Sequence, residues 1–245
     1  MKISVVTIVR NDCTHIEETL KSVLEQSGEG FELEYVVIDG ASDDGTAEIV
    51  GRYASELAFF VSEKDTGIYN AMNKGIAHCT GDVIGMINSG DRYLPGALAL
   101  VAKSFTEYGK LDRIFWGDVI YQHLGLVKGF RENNRYRGAF APHPSMFVPR
   151  NIYENIGCYD ESFRLLGDYE FMYRAVNVKQ IAPLYVSQPV AFYLEDGLSD
   201  RYVYRCLKDE LTVKLRYGQN PLTARLIFLL KVLKNSPRIL KSCFR

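Results

Sequence analysis

In the first half of the chain, short apolar runs alternate with segments of helical spacing, and the runs end in polar clusters. Residues 3–9 are rich in β-branched side chains and read as a buried strand. Thr14 and Glu17 have the spacing of a capping box, and Ile16, Leu20, Val23 and Leu24 follow at helical intervals. Residues 33–38 form a second apolar run, 40–46 a turn, and Ala47, Ile49, Val50 and Tyr53 the start of another helix. A strand at 59–62, a helix carrying Ile68, Met72 and Ile76, and a strand at 83–87 continue the pattern. Pro95 suits a first helical position ahead of Leu98, Val101 and Phe105. This alternation predicts an α/β fold, a mostly parallel sheet flanked by helices. Ligands of such sheets bind past the carboxyl ends of the strands, where the polar clusters 7–12, 39–44, 63–65 and 88–91 fall.

The second half is less regular. Residues 113–121 and 126–131 read as strands that pair antiparallel, 168–178 as a helix, 181–194 as strand-like, and 201–217 and 222–234 as helices. The expected organisation is one domain over residues 1–200 and a basic helical extension over 201–245. With 245 residues, 47% apolar and 24% charged, the chain has ordinary globular composition, which excludes disorder and coiled coil. A net charge of −1 gives no reason to expect nucleic acid as a partner. The five cysteines are odd in number and show no C-x-x-C spacing, which points away from a disulfide or zinc framework and toward a reducing cytoplasm. Neither a signal peptide nor a spanning helix is expected.

The polar clusters each read two ways. Asp39, before Gly40, is placed to accept from a ring or ribose donor of a nucleotide; the alternative is a solvated Asp-Gly turn. Both the G-x-G-x-x-G fingerprint and the P-loop are missing, so a nucleotide would be held by other means. Asp91, closing Asn88-Ser89-Gly90-Asp91, is either one oxygen ligand of a hard divalent cation or a cap. Asp168 opens a helix, as a cap or as a general base aimed into a cleft. His143, bracketed by prolines, either touches phosphate, metal or acceptor or packs uncharged. After Glu210 the chain has no acidic residue, while basic residues intersperse Leu226, Ile227, Leu229, Leu230 and Leu233. That tail suits either a helix lying on an anionic membrane or one packed on the domain.

Taken together, residues 4–11, 37–46, 62–76 and 87–91, with 143–147, 157–160, 168–170 and 197–199, resemble the family 2 glycosyltransferases of the GT-A fold, the bacterial polysaccharide-building branch in particular. The resemblance implies inverting transfer of a sugar from a UDP- or GDP-linked donor to a glycan or polyprenyl-diphosphate-linked acceptor. It places Thr7, Arg10 and Asp39 at the nucleoside, Asp39 on the base, and Asp65 near the ribose or diphosphate. Asp91 becomes the surviving ligand of an Asp-x-Asp motif for Mg²⁺ or Mn²⁺, and Asp168 the catalytic base. The family has acidic residues where this chain has Asn88 and Gly90, and often Asp where it has Asn70. Asn88 then joins the donor-binding set with a neutral amide oxygen, a weaker ligand than a carboxylate. Arg131, Arg135 and Arg137 are expected to donate to phosphate where the cation binds weakly. The basic tail, 222–245, is expected to give peripheral contact with the inner face of the cell membrane. Two rivals are a sugar-1-phosphate nucleotidyltransferase, which usually has a Gly-rich loop where 7–12 has no glycine, and a non-catalytic nucleotide-sugar-binding or partner-binding module.

Overall fold

Strand β1 (Lys2–Val9) is buried along nearly its whole length and is flanked on both edges by parallel neighbours, β2 (Glu32–Asp39) and β4 (Val83–Met86). The computed structural model describes residues 1–26, 28–130, 141–195 and 201–243. Alternation along β1 sends Ile3, Val5 and Val9 into one apolar layer and Val6 and Ile8 into the other. The same alternation divides Tyr35 and Val37 from Val36 and Ile38 on β2. Helices α1 (Ile16–Leu24) and α4 (Ala97–Tyr108) cover the first face, and α3 (Ile68–Ala77) and α6 (Gly167–Tyr173) the second. Short α2 (Thr46–Gly51) leads into β3 (Phe59–Ser62).

The sheet continues through β5 (Arg92–Tyr93), β6 (Ile114–Tyr121), β7 (Gly125–Val127), β8 (Met146–Pro149) and β9 (Pro183–Tyr193). Its order is β3-β2-β1-β4-β8-β6-β9-β5, with β7 beside β6. The parallel arrangement holds throughout β3-β2-β1-β4. Past β4 the pairing is mixed: β8 runs antiparallel to β4 and β6, while β6 and β9 are parallel. β5, β8 and the helix α5 (Arg150–Ile156) have no clear signal in the sequence, because they are short and their partners are distant.

Three local expectations are corrected. The capping box at Thr14 does not form. His15 is the N-cap of α1 without a side-chain bond; the Asp12 carbonyl accepts from the His15 and Ile16 amides, and Glu17 accepts from the Tyr53 hydroxyl at 2.8 Å. Pro95 lies outside α4, which begins after Gly96 in a left-handed conformation. The 168–178 helix divides into α6 and a π-helical turn at Arg174–Val178.

A buried polar knot ties the parallel strands together. Glu34 accepts from Ser4 at 2.5 Å and Thr80 at 2.6 Å and pairs with Lys2 at 2.7 Å. These partners outweigh the desolvation of its carboxyl and hold it down at about 2. At the other end of the chain lie α7 (Val203–Arg216), α8 (Pro221–Lys234) and α9 (Ser236–Cys243). Val213 of α7 packs with Phe163, Tyr169 and Tyr173 near α6.

Candidate active site

The carboxyl ends of the parallel strands open onto a cavity of about 830 Å³. Arg10 and Asp12 after β1, residues 65–71 leading into α3, and Asn88 and Ser89 after β4 form one wall. The facing wall comes from remote sequence: Glu161, Phe163, Arg164 and Leu165 ahead of α6, with Tyr202 and Arg205 at the start of α7.

The expected donor residues divide between this lining and the layer that supports it. Arg10, Asp65 and Asn88 line the cavity. Thr7 is buried, its hydroxyl sharing a hydrogen bond of 2.8 Å with Tyr35. Asp39 is also buried and organises the turn after β2, accepting from the Ser42 amide at 3.0 Å and from the Ser42 and Ser62 hydroxyls at 2.5 Å. Asp65 accepts from the Gly67 amide at 2.9 Å and presses against the same turn. A Cβ on Gly40 would come within 2.5 Å of Asp65 Oδ2, so this close approach needs glycine.

Asp168, in the first turn of α6, accepts from the Tyr69 hydroxyl at 3.0 Å, and that hydroxyl also lies 2.9 Å from the Leu165 carbonyl. Tyr69 lines the cavity, so its hydroxyl links Asp168 to the cavity edge. A Cβ on Gly167 would meet the Tyr69 ring at 2.8 Å, which explains glycine beside the carboxylate. Asn70 and Asn73 donate to Glu161 at 3.1 and 3.0 Å, fastening the remote wall to α3. A carboxylate at position 70 would face Glu161 with like charge, which gives the amide at this position a local reason. His143 is half-buried with Nε2 3.2 Å from the Tyr159 hydroxyl, and desolvation lowers its pKa despite the nearby Asp168 charge. Of its two readings, the packed and uncharged one matches this environment.

Asp91 is 4% exposed and does not line the cavity. One carboxyl oxygen accepts from the Leu194 amide at 2.9 Å, and burial pushes its pKa up to about 8. Among the described residues no three His, Cys, Asp or Glu side chains form a ready metal cage. Two features still fit a divalent cation. Asn88 Oδ1 is buried without a partner among the described residues, and the Asp91 carboxyl lacks a charge to offset its desolvation. One carboxylate and one amide oxygen suit Mg²⁺ or Mn²⁺ when phosphate oxygens and water complete the shell.

Tyr69, Asp12, Ser89, Glu161, Arg164, Tyr202 and Arg205 join the site without a role expected from the sequence. Tyr69 had a signal, an aromatic in the first turn after a polar strand end; Arg164 and Arg205 had none, since only tertiary packing brings them here. Arg131, Arg135 and Arg137, and the 197–199 motif, lie outside the described residues.

The family model described as Glycosyl transferase family 2 matches residues 4–165. The chain belongs to glycosyl transferase family 2. An uncharacterized glycosyltransferase of Mycobacterium tuberculosis is 34% identical over 183 residues, covering 72% of this chain and 69% of the relative. A PGL/p-HBAD biosynthesis glycosyltransferase of Mycobacterium bovis is 29% identical over 230 residues, covering 88% and 86%. Among solved structures, S. aureus TarS 1-349 in complex with UDP-GlcNAc aligns at TM-score 0.68 and 16% identity, covering 99% of this chain and 79% of that one. The chain spans 48% of a longer TarS structure. Mannosyltransferase PcManGT from Pyrobaculum calidifontis, in complex with GDP-Man and Mn²⁺, aligns at TM-score 0.64 and 21% identity, covering 98% and 72%. These structural likenesses give the glycosyltransferase its GT-A fold.

Proposed function

We propose that this glycosyltransferase moves a sugar from a UDP- or GDP-linked donor to a hydroxyl of a glycan or lipid-linked acceptor, with inversion at the anomeric carbon. The observation that carries the reading is one cavity at the strand carboxyl ends with Arg10, Arg164 and Arg205 on its walls and Asp168 tied to its edge through Tyr69. Its volume of about 830 Å³ is within the range of small-molecule sites, roughly 300–1,000 Å³. TarS and PcManGT, with bound UDP-GlcNAc and GDP-Man, motivate the two nucleotide classes.

In this reading Arg10 and Asp65 face the donor, and Thr7 and Asp39 hold the nucleoside end of the pocket in shape. Asp39 keeps acceptor capacity beyond its three hydrogen bonds, because an ionised carboxylate has about four lone-pair sites. The acceptor hydroxyl attacks the anomeric carbon as the bond from that carbon to the β-phosphate oxygen breaks. Asp168 takes the hydroxyl proton, and the Tyr69 hydroxyl orients its carboxylate. Negative charge gathers on the departing diphosphate, where Arg10, Arg164 and Arg205 supply charge-assisted hydrogen bonds. Asp91 and Asn88 would hold Mg²⁺ or Mn²⁺, which when bound supplies Lewis-acid charge neutralisation. Most of the donor machinery occupies 1–200, and the 201–245 extension completes it with Tyr202 and Arg205 on the wall and adds peripheral contact with the inner membrane face.

The test is donor screening by thermal shift with UDP- and GDP-sugars, with and without Mn²⁺, followed by donor hydrolysis or transfer. Binding that survives Asp168→Asn while turnover is lost supports the reading. Full turnover in that variant rejects Asp168 as the base, and stabilisation by no nucleotide rejects the donor class.

A further inference from the structure

Helix α8 exposes a row of leucines with no protein against it among the described residues. Leu222, Leu226, Leu229, Leu230 and Leu233 recur at i, i+4, i+7, i+8 and i+11, which puts them on one face of the helix. They are 55–78% exposed. The opposite side is fastened to α7: Ala224 is buried, and Lys231 reaches inward to both oxygens of Glu210 at 2.7 and 2.8 Å. Glu210 also pairs with the buried Lys214, and Tyr204 of α7 meets the Phe228 ring at 6.2 Å. Inward anchoring by Lys231 fixes which way the leucines point.

We infer that this face of α8 docks onto an anionic lipid surface, with the five leucines in the interface and Arg225 and Lys234 at the headgroups. Charge selects this occupant. Arg225 and Lys234 are exposed and flank the leucine row on its two sides, and no acidic residue follows Glu210 anywhere in the chain. Two copies packed through the row would bring basic flanks together without a carboxylate on either helix to offset them. An anionic bilayer satisfies both features at once. At 14 residues α8 is on the order of 20 Å long, and no described helix is long and apolar enough to cross a membrane, so α8 lies in the interface rather than through it.

The docking face is coupled to the cavity. α7 carries Arg205 on the cavity wall and Glu210 in the knot with α8, little more than one helical turn apart. A docked α8 therefore holds the cavity in a fixed orientation to the membrane. This rests on the lipid-linked acceptor reading for its purpose, but its test is independent of turnover.

The experiment is flotation of the full chain with phosphatidylglycerol-rich vesicles and with phosphatidylcholine vesicles. UDP and GDP binding and sedimentation velocity are measured on the same samples. The chain is expected to float with the anionic vesicles, and Leu226→Gln with Leu230→Gln to lower the bound fraction at least about tenfold. Arg225→Gln with Lys234→Gln is expected to weaken anionic binding and flatten its salt dependence. Each variant should retain wild-type melting and nucleotide affinity. Equal flotation of the leucine variant, or no flotation of the wild type while nucleotide still binds, overturns the inference and leaves the donor reading standing. A dimer that the leucine substitutions dissolve, without vesicle binding, assigns the face to a second copy and also overturns it. Vesicle binding without any nucleotide binding supports the inference and counts against the donor reading.

Discussion

The two walls of the cavity are built by different means. On the strand side, side chains sit at β-strand ends and in tight turns, where Asp39, Ser42, Ser62 and the Gly40–Asp65 contact fix geometry over short stretches of backbone. On the facing side, Glu161, Arg164 and Arg205 come from segments distant in sequence, joined by packing of Phe163, Tyr169, Tyr173 and Val213 and by the Arg216–Asp160 ion pair at 2.5 Å. The strand wall is held by hydrogen bonds within its own turns. The facing wall brings charge, the candidate base Asp168 sits outside the lining and reaches its edge through Tyr69, and the position of this wall depends on α6 and α7 holding together.

The largest effect is expected at Asp168. Asp168→Asn should lower turnover by about 10²–10⁴-fold, the usual worth of a positioned base, with donor affinity retained. Loss of nucleotide binding in that variant would instead make the facing wall a structural partner of the strand wall. The support beneath the strands comes next. Glu34→Gln should cost about 1–3 kcal/mol in denaturant unfolding, because buried partners lose a charged acceptor. The depressed Glu34 pKa, about 2 against an unfolded value near 4.5, adds stability above pH 4.5 that is lost as pH falls toward 2. The variant should lack that acid limb of the stability profile.

Arg164→Ala and Arg205→Ala should each weaken UDP or GDP affinity by about tenfold, ~1.4 kcal/mol, while uridine or guanosine affinity stays put. Calorimetric titration of the nucleotide against its nucleoside makes that distinction, and equal losses for both would move the arginines away from the phosphates. Gly40→Ala should raise the donor KM several-fold by displacing Asp65, with stability changed by about 1 kcal/mol or less. The last effect concerns the pH dependence that Asp91 brings. Its folded pKa is raised to about 8 from 3.8, so its contribution to stability is complete below pH 4 and declines as pH rises through 8. Asp91→Asn should remove that slope from the thermal melting profile, and Mn²⁺ should raise the wild-type melting temperature more at pH 8 than at pH 6.

How much of this was legible in sequence follows the same division. The parallel strands, α1, α3 and the polar strand ends are readable because each depends on periodicity within about ten residues. The family motifs lie in that part too, which is why the expected donor residues cluster there. Sequence does not say which of them face the ligand: Thr7, Asp39 and Asp91 share the polar clusters with Arg10, Asp65 and Asn88 but are buried outside the cavity lining. That sorting depends on the strand pleat and on the Leu194 amide, more than a hundred residues from Asp91. Arg164, Tyr202 and Arg205 stayed hidden because nothing local marks them. The capping box does not form at Thr14: the helix starts one residue later, the Asp12 carbonyl accepts from the His15 and Ile16 amides, and the Glu17 carboxylate is taken by the distant Tyr53 hydroxyl.

The most direct test is a crystal structure of the full chain with UDP or GDP bound. The diphosphate should lie inside the cavity between Asn88 on the strand wall and Arg164 and Arg205 on the facing wall, with Asp168 at the open side of the β-phosphate. A nucleotide seated elsewhere, or one whose phosphates reach neither pair of residues, would contradict the account.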